Sequence, residues 1–327
     1  MIKALKHRLR GFFARDQALI LTYHSIQTQP LPFPVWHHLD AARFEAHIAY
    51  LARHFRCVPL STLLDEMRGG RIAPYTVALT FDDGYRDNLT VALPILQHFR
   101  VPATLFVTTG FVGGTQLLWP EQIACTLALT KIPMLEFVNV RYALAGNAQK
   151  GIAYRQLARV FKNTLPENIP TQLSALLLSA KVTPEQLRSS AWHKSLQPLD
   201  WNEVQTLRAS GLFEFGAHTL THRRLSALSN AEAEREIAAP KQILENHVGP
   251  IHYFAYPHGS TGDYTDEHRA MAVRAGYSAV FTADTQTVTS RTDPYAVPRA
   301  GLGAETTQEE FAYLVHGGAA RTNAGAK

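Results

Sequence analysis

Residues 76–88 read TVALTFDDGYRDN. Positions 76–81 are a short apolar run rich in Val, Thr and Phe, and the run ends abruptly in Asp82-Asp83-Gly84. That composition predicts a buried strand whose carboxyl end carries chemistry-bearing side chains. The same form recurs along the chain. Positions 18–22 run into Tyr23-His24, and 213–216 run into Ala217 and the string HTLTH at 218–222. Positions 253–256 run into Pro257-His258-Gly259, and 103–108 and 278–282 are two further apolar runs. Helical patterns lie between them. Phe44, Ile48, Leu51 and Phe55 share one helical face. Positions 88–99, 230–247 and 267–275 read the same way, with Asn230 the expected N-cap of its helix. Strand alternating with helix predicts parallel strands in an α/β barrel or a doubly wound sheet.

Residues 114–199 break this rhythm. Helical patterns at 119–130, 153–164, 170–178 and 184–192 follow one another between Pro, Gly and Asn. They predict a helical insertion rather than an independent domain, and the remainder is close to the roughly 250 residues of a (β/α) barrel. The expected plan is a basic amphipathic segment at 1–17, a barrel over 18–303 interrupted at 114–199, and a C-terminal helix with a small-residue tail at 304–327. Of the 327 residues, 46% are hydrophobic and 18% charged, which excludes disordered and fibrous classes. The net charge of +5 is dispersed and forms no basic stripe with interleaved aromatics, so no nucleic-acid partner is expected. Cys57 and Cys125 are far apart and lack CxxC spacing, so a reduced, cytoplasmic setting is expected. No apolar run approaches the roughly 20 residues of a membrane span. The start, MIKALKHRLRGFFARD, also lacks the apolar core of a signal peptide. Ile2, Leu5, Leu9 and Phe12 do recur at helical spacing among Lys3, Lys6, Arg8 and Arg10. Such a helix admits peripheral contact with the anionic inner membrane face. A helix packed on the domain, or a frayed leader, is the plainer reading.

The polar residues at the strand ends carry the chemistry. In an α/β barrel the carboxyl ends of all strands open onto one face, so segments distant in sequence converge there. Two histidines four residues apart plus one carboxylate give three ligands to a divalent ion and leave a position for water. Adjacent Asp82 and Asp83 can divide the work, one ligating and the other taking a proton from water. A histidine on the opposite side can protonate the leaving group. Together these parts suit metal-assisted hydrolysis of an amide or ester. Taken singly, Asp-Asp-Gly is also a turn signal and a lone histidine is also a structural residue.

These strings resemble the polysaccharide deacetylase family, the NodB-homology domain of carbohydrate esterase family 4. TFDDGYRDN at 80–88, HTLTH at 218–222 and FAYPHG at 254–259 carry the likeness, which covers about 18–112 and 200–303. The resemblance implies a distorted (β/α)7-type barrel. It implies Asp83, His218 and His222 as ligands to a divalent metal, zinc first and cobalt or nickel as alternatives, with Asp82 as general base. Two departures stand out. Ala255 occupies the place of the arginine that braces the base in the family. Arg299, in VPR at 297–299, is a candidate replacement, a surface salt bridge being its plainer role. The family's C-terminal strand ending in histidine is also missing. His316 reads as a helix C-cap, whereas LILTYH at 19–24 resembles the missing strand in a circularly permuted, poly-N-acetylglucosamine deacetylase-like order, which makes His24 the general acid. Backbone N–H groups near Pro257–Gly259 are the expected oxyanion donors. Tyr256, Pro257 and His258 are then candidate substrate contacts, and Tyr23, Tyr85, Trp119 and Trp201 are candidate platforms for sugar rings. The implied reaction removes an N-acetyl group from an acetamido sugar of a polysaccharide or lipid-linked glycan precursor, in cell-surface or exopolysaccharide biosynthesis. A deformylase of a lipid-linked formamido sugar and a carbohydrate-binding protein with a vestigial site are the alternatives.

Overall fold

The computed structural model describes residues 16–316. The basic amphipathic stretch up to residue 15 and the small-residue tail from 317 lie outside the described residues. The strands are β1 (Ala18–Tyr23), β2 (Ser25–Gln27), β3 (His38–Asp40), β4 (Arg56–Cys57), β5 (Thr76–Asp83) and β6 (Ala103–Val107). They continue with β7 (Met134–Phe137), β8 (Val140–Ala143), β9 (Phe213–Ala217), β10 (Tyr253–Ala255), β11 (Ala279–Phe281) and β12 (Ala300–Gly301). The main sheet runs β11-β10-β9-β6-β5-β1-β12, with β4 beside β5, and its pairs are parallel.

Period-2 alternation divides each strand between two cores. Leu19, Leu21, Val77, Leu79, Phe81 and Leu105 face outward and pack with Phe44, Ile48, Leu51, Ile237 and Leu244 of the surrounding helices. Ala18, Ile20, Ala78, Phe106, Ala255 and Phe281 form the second cluster, joined by Leu60, Leu63 and Met67 of the helix Leu60–Arg68. The sheet is curled, and one short segment bridges its edges. Val297 bridges Phe281 in parallel, and three residues later Ala300 pairs with Leu21. This is the expected distorted (β/α)7-type barrel, with residues 297–301 as its clasp.

Helix starts follow local capping chemistry. The Asp40 side chain accepts the N–H groups of Ala42 and Arg43 at the head of the helix Ala41–His54. The helix Asn230–Val248 is capped by Ser229, not by the expected Asn230, because Ser229 and Glu232 form a reciprocal capping box. The stretch after Asp87 opens with a π-helical turn, Asn88–Ala92, before the α-helix Leu93–Phe99.

Residues 114–199 hold the helices Trp119–Leu129, Asn147–Lys162, Ile169–Ser179, Pro184–Ser189 and Ala191–Ser195. The helical expectation missed the antiparallel hairpin β7–β8 among them. Its turn residues Val138 and Asn139 both have positive φ, as a tight hairpin turn requires. Ile123, Leu127, Leu135, Tyr154, Phe161 and Leu176 form a separate apolar cluster here. Leu31, Phe33 and Val35, from the link between β2 and β3, join it and tie the region to the barrel.

Candidate active site

Two consecutive strand residues normally point to opposite faces. Thr80 and Asp82 share the inward face of β5, and Asp83 escapes the alternation through a left-handed backbone (φ 76°) followed by Gly84 (φ 95°). Both carboxylates thereby reach one site. Thr219, His222 and His258 also have φ near 60°. Such conformations cost ~1–3 kcal/mol each for side-chain-bearing residues and cluster where the surroundings enforce a functional geometry.

Here the enforcement is visible. The HTLTH segment is a loop held on both sides. His218 and Leu220 are anchored by backbone hydrogen bonds, from His218 N–H to the Val107 carbonyl (2.9 Å) and from Gly110 N–H to the Leu220 carbonyl (2.7 Å). On the far side, buried Glu236 of the helix Asn230–Val248 accepts the Thr221 N–H (2.8 Å) and the Thr221 hydroxyl. His218 Nδ1 donates to the Ala255 carbonyl (2.8 Å), which fixes the tautomer and turns Nε2 to the site. His222 Nε2 and His218 Nε2 lie 3.2 and 3.6 Å from Asp83 Oδ1, a buried oxygen without a hydrogen-bond partner. An orphaned carboxylate oxygen facing two imidazole nitrogens fits a divalent ion, and the Asp-His-His donor set suits a catalytic site with an open position.

Asp82 stands beside this group. Arg299 clamps it with two parallel hydrogen bonds, Nη1 to Oδ1 (2.7 Å) and Nη2 to Oδ2 (2.8 Å). The guanidinium is fully buried, bonds Thr80 Oγ1 and the Thr282 carbonyl as well, and lies 4.9 Å from the Phe106 ring centroid. Burial pushes Asp82 up, but the Arg299 charge and then His218 outweigh it and hold the carboxyl below its ordinary range. Arg299 thus occupies the brace position that Ala255 cannot, and it is not a surface salt bridge.

His24 follows β1, and its Nε2 is 4.0 Å from Asp82 Oδ2. Burial lowers its pKa to about 4, against the raising effect of Asp83 and Asp82. The strand β2 after it is fastened by the end of the TFDDGYRDN motif. Buried Asp87 accepts from Ser25 Oγ, Ile26 N–H and Gln27 Nε2, while Asn88 donates to the His24 carbonyl. On the other side of His24 stand Trp36 and His37, with ring centroids 5.1 and 5.9 Å away. His37 contacts Glu121 of the insertion helix, and the same oxygen accepts the Tyr85 hydroxyl (2.6 Å). Burial raises Glu121, and His37 and His38 outweigh it, leaving a pKa of about 2.

A cavity of about 480 Å³ joins these groups. Asp82, Asp83, His24, His218, His222, Tyr256, His258 and Arg299 all line it, as do Tyr85 and Trp119. Pro257 does not, Tyr23 is buried against Phe44 and Phe81, and Trp201 stacks on His247 elsewhere. In the Tyr256–Gly259 turn, the Tyr256 N–H bonds the Phe281 carbonyl and the Gly259 N–H bonds the Pro257 carbonyl. The His258 N–H remains as that turn's candidate oxyanion donor. Tyr256 stacks on Tyr264 with its buried hydroxyl unpartnered. Trp36, His37, Asp87, Glu121 and Glu236 were not expected from the sequence. Only Asp87, inside the quoted motif, carried a usable signal.

A family profile described as polysaccharide deacetylase matches residues 70–280. YxkH of Bacillus subtilis (strain 168), named as a polysaccharide deacetylase, is 32% identical over 107 residues, which are 32% of this chain and 36% of that relative. The chain therefore matches little more than a third of that relative's length. Among solved structures, deacetylase PplD of Streptococcus pyogenes, solved with acetate, superposes with a TM-score of 0.59 at 16% identity, covering 92% of this chain and 99% of that one. IcaB from Ammonifex degensii superposes with a TM-score of 0.57 at 18% identity, covering 92% and 96%. At these identities the two structures speak for the fold.

Proposed function

Because this chain belongs to the polysaccharide deacetylase family, we propose that it is a metal-dependent hydrolase that removes the N-acetyl group from an acetamido sugar. The observation that carries the reading is the meeting of Asp83, His218 and His222 beside an Asp82 clamped by Arg299, with His24 opposite. Asp83, His218 and His222 would hold the ion, zinc first, with cobalt or nickel as alternatives. When bound it supplies Lewis acidity toward the acetamido carbonyl and acidifies water.

The chain's own residues do the rest. Asp82, kept ionised and oriented by Arg299, takes a proton from the attacking water. The His258 N–H, which has no partner in its turn, is the proposed donor to the developing oxyanion. His24 rests neutral, 4.0 Å from the base, and so can receive that proton and pass it to the departing amine as the C–N bond breaks. Acetate and a free amino sugar leave. Trp36, 53% exposed beside His24, offers a face for a sugar ring. The glycan is a polysaccharide or a lipid-linked precursor, in keeping with a role in cell-surface or exopolysaccharide biosynthesis. Among the described residues no helix is long and apolar enough to cross a membrane. A cytoplasmic location, peripheral at the inner membrane face, is part of the proposal.

The test pairs metal content with product. Protein purified without chelator holds about one divalent ion per chain, and Asp83→Ala and His218→Ala lose it. Asp82→Asn keeps the ion, while acetate release from N-acetylglucosamine oligomers falls by about 10²–10⁴-fold. An active Asp82→Asn enzyme, or no uptake of zinc, cobalt or nickel by the wild type, sinks the reading. Formate in place of acetate, from a formamido sugar, reassigns the acyl group.

A further inference from the structure

Among the described residues, the side chains of Asp83, His218 and His222 are not alone in converging as metal ligands would. His37, His38 and Glu121 do the same, with one ring nitrogen or carboxylate oxygen apiece within 4.8 Å of the others. All three are buried. His37 ends the link between β2 and β3, and His38 opens β3. A turn in which the His38 N–H bonds the Val35 carbonyl (2.9 Å) sets the two imidazoles side by side, with ring centroids 4.6 Å apart. Glu121 faces them from the first turn of the insertion helix Trp119–Leu129. Its Oε1 contacts His37 Nε2, accepts the Tyr85 hydroxyl (2.6 Å) and lies 3.7 Å from His38 Nε2. These bonds leave much unsatisfied. Glu121 Oε2, His37 Nδ1 and both ring nitrogens of His38 are buried without hydrogen-bond partners. A neutral imidazole carries one donor and one acceptor, so burying His38 with neither paired costs free energy.

At 3.7 Å, His38 Nε2 is too far from the carboxylate for a hydrogen bond and too close to be facing elsewhere. A shared cation accounts for that spacing. Bonds of about 2.0–2.1 Å to nitrogen put tetrahedral ligand atoms roughly 3.3 Å apart. The first group shows a similar gap, 3.6 Å from His218 Nε2 to Asp83 Oδ1. We propose that His37, His38 and Glu121 form a second divalent-cation site, on the opposite side of His24 from Asp82. Two imidazoles and one carboxylate suit zinc, cobalt or nickel, whereas magnesium and calcium take oxygen ligands. His37 and Glu121 line the catalytic cavity, which gives the ion its way in. Its affinity is the lower of the two sites. Glu121 Oε1 already serves His37 and Tyr85, and the ion must displace the His37 contact, whereas Asp83 Oδ1 has no hydrogen bond to give up. The first equivalent of metal therefore goes to Asp83, and the second site fills only from excess. Once filled, it fastens the insertion to the link that carries Trp36. This assignment does not depend on the deacetylase reading.

The experiment titrates the full chain, loaded with one equivalent of zinc, with further zinc in a calorimeter. A second equivalent is expected, bound at least about 100-fold more weakly than the first. Magnesium is expected not to take its place. His38→Gln and Glu121→Gln should each weaken the second equivalent at least about ten-fold and keep the first. Asp83→Ala, given zinc in excess, should lose the tight equivalent and keep the weak one. A wild type that stays at one equivalent in millimolar zinc overturns the proposal, and the cluster is then a hydrogen-bonded group completed by water. A second equivalent undiminished in both variants, each folded by circular dichroism, also overturns it, because surface histidines then hold the ion. Failure of the deacetylase reading looks different, with the weak equivalent bound as expected and no acetate released from any acetamido sugar.

Discussion

Burial pushes the Asp82 carboxyl up, and the Arg299 charge does most to bring it below its ordinary range. Arg299→Met removes the opposing charge, so the Asp82 pKa rises and the acid limb of the kcat/KM profile moves to higher pH. Activity at neutral pH is expected to drop about 10–100-fold, and Arg299→Lys to restore only part of it, because an ammonium cannot clamp both oxygens. An acid limb unmoved in Arg299→Met would separate the arginine from the base. Asp87 shows the opposite case. Burial raises its carboxyl to about 7 even though Ser25, Ile26, Gln27 and Asn88 all donate to it. The folded state then keeps a proton that the unfolded chain loses near its ordinary pKa of 3.8. The protein binds more protons folded than unfolded in that window, so this residue's contribution to stability falls as pH rises from about 4 to about 7. Asp87→Asn, neutral throughout, is expected to flatten that slope in urea unfolding at several pH values. Residues of this kind differ in how far they could be read. Asp82, Asp83, His218 and His222 were legible because they lie in two short strings, each of which concentrates chemistry at a strand end. Arg299 stayed open between brace and surface pair, because its partner is 217 positions away and only strand register brings the two together.

At the scale of elements, the HTLTH loop is held from two sides. It carries two left-handed residues and is gripped by the turn after β6 and by Glu236. Glu236 sits in the middle of a long helix, where a glutamate reads as surface, yet it is buried. Only the packing of helix on loop reveals it. Glu236→Ala releases Thr221, and metal affinity is expected to fall about 10–100-fold in zinc titrations. Unchanged affinity would show that the backbone bonds to Val107, Thr109 and Gly110 hold the loop without the Glu236 carboxylate. That grip is tight, because a Cβ on Gly110 would lie 2.5 Å from the Leu220 carbonyl oxygen. The insertion was legible as helices and illegible as a hairpin. β7 and β8 are four residues each, too short for alternation to stand out among flanking helical patterns. Trp36 and His37 lie in the link between β2 and β3, where neither period gives a signal, and the site acquires them only because that link packs against the insertion.

At the scale of the molecule, the proposed ion would tie Asp83 at the end of β5 to the loop after β9, which crosslinks two distant parts of the chain. Chelation is expected to lower the thermal midpoint by about 5 °C or more, and added zinc to restore it, in keeping with a ligand that binds only the folded state. Asp83→Ala should show the lower midpoint from the start and ignore zinc. A midpoint indifferent to chelator in the wild type would argue against the ion. The barrel was legible because strand and helix alternate over most of the chain, while its clasp was not, since β12 is two residues long. That clasp sets an order of events during synthesis. The ribosome delivers the proposed base, ligands and acid within the first 222 residues. The arginine that clamps Asp82 arrives only at 299, on the segment that locks the last edge to the first strand. A nascent chain, or one clipped before that segment, would therefore carry every proposed ligand while its proposed base still lacks the guanidinium that orients it.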